Sequence, residues 1–160
     1  MERLLNGVER LSRYLNVIAG VAISFIMILT VSDVFLRSFR SPIVGTYELV
    51  AFAGAVVIGF AIPLTSWMRG HIYVDFFTGK LPKTFRSIVN LITRCMGIGL
   101  FLLIGWNLIL VGMDLKQSGE VSLTLQLPFY PVAYGVAFSC FVQCVVLIAD
   151  MVKIVRGGYE

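Results

Sequence analysis

Charged side chains are scarce in this sequence: Asp, Glu, Lys and Arg make up 14% of the 160 residues, against about 25% in soluble globular domains. With 58% apolar residues and a mean hydropathy of +0.90, that scarcity excludes an ordinary soluble domain and places the chain in a lipid bilayer. Histidine is scarcer still. The single one, His71, cannot supply both axial ligands of a bis-histidine haem, and only Asp75 lies near enough in sequence to join it around a metal. Cys95, Cys140 and Cys144 all fall in apolar sequence and form no C-x-x-C pair, so neither a thiol relay nor a structural disulfide is expected. Cys140 and Cys144, one helical turn apart, read as small hydrophobes. Walker and dinucleotide loops, H-E-x-x-H and G-x-S-x-G are missing too. The chain is therefore not read as an enzyme, and no catalytic residue, cofactor or metal site is expected.

What is present is a succession of four apolar runs, near residues 14–36, 49–68, 88–113 and 129–152. Each is long enough to cross about 30 Å of hydrocarbon at ~1.5 Å per helical residue. The expected fold is an all-α integral membrane protein, a bundle of four transmembrane helices forming a single domain over residues 1–160. Leu4, Leu5, Val8 and Leu11 share one face of an amphipathic N-terminal segment, which either lies on the membrane surface or leads directly into the first run. That first run is too long for the apolar core of a cleaved signal peptide.

The basic residues fix an orientation. Arg3, Arg10 and Arg13, then Arg69, Lys80, Lys83 and Arg86, then Lys153 and Arg156 place nine on one side, against Arg37, Arg40 and Lys116 on the other. By the positive-inside rule both termini are cytoplasmic, and the net charge of +4 is a topology signal, not a nucleic-acid footprint.

Several side chains inside or beside the runs invite a role. Asp33 is the only acid of the first run, and Arg37 stands four residues on, where the two can pair on a helix surface. The local ion pair competes with two functional readings, a contact with another subunit and a proton-coupling site. Ser41-Pro42 and Gly45 break the chain, Thr46 is placed to cap the second helix, and Glu48 complements its dipole. Ala51, Ala55 and Gly59 recur every four residues and offer a close approach to a neighbouring helix. Pro63 cannot donate to the Gly59 carbonyl and should kink the helix there. Pro82 is placed to open the third helix. Arg94 lies inside the apolar part of that helix, where it either snorkels to the cytoplasmic headgroups or pairs with an acid of a partner. Residues 121–127 alternate apolar and polar, which reads as an extended segment with one apolar face.

Three fragments together resemble a known family. They are R-x-x-x-S-P-I-x-G-x-x-E-L from Arg37 to Leu49, R-G-H-I-Y-V-D from Arg69 to Asp75 followed by Leu81-Pro82, and G-x-x-S-L-x-L-Q-L-P from Gly119 to Pro128. In this order, on four spans, they are similar to the small membrane subunit, DctQ-like, of tripartite ATP-independent periplasmic (TRAP) transporters. The resemblance implies a supporting role. A large membrane subunit would carry the substrate and sodium path, a periplasmic binding protein would deliver an organic acid, and this chain would brace the large subunit in the bacterial inner membrane. It also implies that Arg37, Glu48, Arg69, His71 and Asp75 have scaffold or interface roles, and that the outer loops 38–47 and 117–130 are candidates for contact with the binding protein. The rival reading is an autonomous proton-coupled four-helix transporter using Asp33.

Overall fold

The computed structural model describes the backbone of residues 2–68 and 83–155 and the side chains of residues 7–68 and 89–152. Four helices make up nearly all of it: α1 (Glu2–Ser38), α2 (Thr46–Trp67), α3 (Lys83–Ser118) and α4 (Tyr130–Val155). All four contain stretches long and apolar enough to cross a membrane, at Gly7–Ser38, Thr46–Trp67, Val89–Ser118 and Tyr130–Val152. The amphipathic N-terminal segment is not a separate element, because α1 continues through it into the first span without a break. Pro82 lies outside the described residues.

Side by side, the helices run in the order α1, α2, α4, α3. The last helix in sequence is thus inserted between the second and third, and it is the best covered of the four. Among the described residues, most of the buried apolar side chains belong to it: Ala137, Cys140, Val142, Cys144, Val146 and Ala149. The outer helices are largely bare: Val17, Val21, Ile28 and Val31 on α1 and Met96, Leu100 and Leu103 on α3 face outward. Outward apolar surface on this scale belongs in lipid or against another membrane protein, where water exclusion from the inside of the fold is not the driving force.

Glycines set the α3–α4 joint. Gly97 meets Leu147, Gly105 meets Phe141, and Gly112 meets Tyr134, in antiparallel register. A Cβ on Gly112 would stand 2.8 Å from the Tyr134 ring, and one on Gly105 3.3 Å from Phe141. The large side chains of α4 fill the room the missing side chains leave, which is how helices gain contact in lipid.

The α2–α4 joint is parallel and partly polar. Pro63 has no N–H, so the carbonyl of Gly59 loses its helical partner. The Ser139 hydroxyl of α4 donates to that carbonyl at 2.5 Å. Two turns further along α2, the Gln143 amide donates to the Ser66 hydroxyl at 2.6 Å, again fully inside the protein. Gly59 itself is covered by Val136. The small-residue stripe of α2 therefore has its neighbour within the same chain at Gly59, while Ala55 is half-buried and Ala51 exposed.

Candidate functional site

The two connections at one end of the row, residues 39–45 and 119–129, form a single knot, and two carboxylates tie it. Asp33, one turn before the end of α1, accepts from Arg37 at 2.6 Å and from the backbone N–H of Ile43 at 2.9 Å. The first bond is the i, i+4 pair expected from spacing; the second reaches across the loop. Asp33 is buried while the Arg37 side chain stays half-exposed, with its guanidinium 5.7 Å from the centre of the Tyr47 ring. Helix α1 ends through Ser41 N–H bonding back to Leu36 at 3.1 Å, with Arg40 left-handed at φ 60.

Glu48 does more than complement a helix dipole. Its two carboxylate oxygens accept from the backbone N–H groups of Thr124, at 2.7 Å, and Leu125, at 2.9 Å. An ionised acceptor holding two backbone donors is a strong arrangement, and it fastens the α3–α4 loop to the start of α2. The contact is completed by Leu125, whose side chain lies against Gly45 where any Cβ would collide with it. Gly45 also has φ 80, a left-handed conformation that an L side chain rarely adopts. This replaces the expected Thr46 cap: Gly45 occupies the N-cap position with no side-chain bond, and the Thr46 hydroxyl donates back to the Ile43 carbonyl at 2.9 Å. Phe52 and Phe129 stack with centroids 5.1 Å apart just below.

The period of two in residues 121–127 does not produce an extended segment. The loop folds on itself: Ser122 N–H donates to Leu127 O at 2.9 Å, Gln126 N–H to Ser122 O at 3.1 Å, and Leu127 N–H to the Ser122 hydroxyl at 3.1 Å. Ser122 is buried and Leu123 points fully outward, the reverse of what alternation implies. A lone strand would leave its ladder groups unpaired, and a turn closed by a serine satisfies them locally.

Arg94 neither reaches for headgroups nor awaits a foreign acid. Its Nε donates to Asp150 of α4 at 2.6 Å, with both side chains about nine-tenths buried. This ion pair sits toward the other end of the α3–α4 joint from Tyr134. Ser139, Gln143 and Asp150 were not singled out from sequence, although polar residues within a membrane run are the signal that marks them. Arg69, His71 and Asp75 lie outside the described residues. Among the described residues, no three His, Cys, Asp or Glu side chains gather as a metal site needs.

Four membrane-length helices, buried charges paired within the chain, and a stitched pair of loops define a multi-pass membrane protein. The family model for the DctQ component of tripartite ATP-independent periplasmic transporters matches residues 26–157, from mid-α1 through the end of α4, and the chain belongs to that family. The match spans the Asp33–Arg37 pair, Glu48, the 119–129 loop and the Arg94–Asp150 pair. No curated protein matches the chain.

Proposed function

We propose that this chain is the small permease subunit of a TRAP-type secondary transporter in the bacterial inner membrane, both termini cytoplasmic and residues 1–160 acting as one domain. It braces a large membrane subunit during sodium-driven uptake of an organic acid that a periplasmic binding protein delivers. The observation that carries this reading is that, among the described residues, the buried charges of the helices are paired within the chain. Asp33 is held by Arg37 and the Ile43 amide, and Arg94 by Asp150. A carboxylate that shuttles protons has to exchange partners with the path, and Asp33 is already committed to loop geometry. That argues against the autonomous transporter. On the same reading the stitched loops are a preformed, rigid outer surface for the binding protein, with Arg37 and Arg40 exposed on it.

The test is reconstitution. Proteoliposomes holding this chain alone should take up no labelled organic acid under a sodium or proton gradient, and uptake should appear when the large subunit and the binding protein are supplied. Transport by the chain alone defeats the proposal.

A further inference from the structure

The outward face of α3 differs from the other bare surfaces in one respect. Met96, Leu100, Leu103, Asn107, Leu110 and Asp114 recur at three- and four-residue steps, on the side of the helix turned away from Gly105, Gly112 and α4, and all six are exposed. Asn107 is an amide in apolar surroundings. Asp114 follows it by seven positions, so Asn107 lies about 10 Å along the helix from that charge, within the span.

On the outward face of α1, Ser24 and Thr30 each donate their one hydrogen to the carbonyl a turn earlier, at 2.9 and 2.7 Å. Asn107 does the same with one amide hydrogen, to Leu103 O at 3.0 Å. Its Oδ1, with two lone pairs, and its second N–H are left facing outward, and hydrocarbon offers them nothing. Polar amides in membrane helices bond across helix–helix contacts. The six-residue stripe is thus a helix seat with a hydrogen-bonding centre.

The occupant is not a second copy. Two copies in one membrane share an orientation, so a two-fold axis along the membrane normal sets like against like on this face. Asn107 would then find a matching amide, but Asp114 would meet Asp114. No ion pair within the chain neutralises Asp114 among the described residues.

We propose that a transmembrane helix of the large partner subunit docks on this face of α3, with a hydrogen-bond donor opposite Asn107 and a basic side chain opposite Asp114. This rests on the reading of the chain as an accessory subunit. It names the surface that reading leaves open.

A photo-crosslinking residue is placed at Leu103 or Leu110 of α3, and at Val21 or Ile28 of α1, in the chain expressed with its transporter partners. Adducts from the α3 positions to a membrane protein with many more spans, identified by peptide mass, are expected. Asn107→Leu should lower co-purification of that protein roughly three- to tenfold, the worth of one interhelical hydrogen bond in lipid. The thermal midpoint of the isolated variant should be unchanged, since Asn107 bonds only its own helix. Adducts to a second copy, adducts from α1 with none from α3, or an Asn107→Leu chain that co-purifies like the parent would each overturn the docking face while leaving the accessory role standing. Failure of the parent chain to co-purify with any large membrane protein would overturn both.

Discussion

The Ser139 hydroxyl donates to the one carbonyl of α2, that of Gly59, whose helical partner Pro63 removes. The proline defect and the serine that repairs it are 76 residues apart in sequence, and each explains the other. Ser139→Ala should destabilise the isolated protein by about 1–2 kcal/mol, the range for a buried hydrogen bond between membrane helices or to a stranded carbonyl. In a Pro63→Ala background, where the helix regains its N–H, the same change should cost much less. A double-mutant cycle on unfolding in mixed micelles measures the coupling. Additive losses would show that the hydroxyl and the proline act separately.

Arg94 and Asp150 form a nearly buried pair, and removing one partner leaves the other charged in a place it cannot hydrate. Asp150→Leu should cost about 3–5 kcal/mol, and Arg94→Met with Asp150→Leu should recover most of it. The readout is again the unfolding midpoint. A single variant as stable as the parent would mean that water reaches the pair.

Gly112 and Gly20 separate close packing from helix propensity. Gly112→Ala pushes a methyl group into the Tyr134 ring, whereas Gly20→Ala meets nothing within 4 Å. The first should lower the thermal midpoint and the second should leave it equal or slightly raised, as expected where alanine replaces a helical glycine in open space.

Glu48 should govern the mobility of a loop remote from it in sequence. Glu48→Ala removes the acceptor of the Thr124 and Leu125 amides, and their hydrogen exchange should accelerate while amides in the centre of α4, such as Val146, keep their rate. Glu48→Gln, which keeps one acceptor oxygen, should fall between. Unchanged exchange at Thr124 and Leu125 would mean that the loop is closed by its own bonds through Ser122.

The four spans were legible because membrane thickness sets a length that composition reveals directly, and the Asp33–Arg37 pair because helix geometry brings residues four apart together. What sequence could not show was every bond that joins distant segments. Ile43 N–H on Asp33 depends on how the α1–α2 turn folds back. Glu48 had a sufficient local explanation in the helix dipole, which concealed its hold on Thr124 and Leu125. Arg94 had two open readings, headgroups or an acid of a partner, until the antiparallel register of α3 and α4 put Asp150 of the same chain beside it. Residues 121–127 misled outright, since alternation signals a strand only where a neighbouring strand can pair with it, and here Ser122 and Gln126 close a turn instead.

Helix α4 is synthesised after α3 yet fills the slot between α3 and α2. During synthesis the ribosome therefore delivers α1–α2 and α3 as pieces with little to bind one another, and the glycine notches of α3 stay in lipid until Tyr134 and Phe141 arrive. Helix α4 is thus the keystone of the described helices. A nascent chain stopped short of Tyr130 would hold α1–α2 and α3 as two units joined by the chain but without the helix that packs between them.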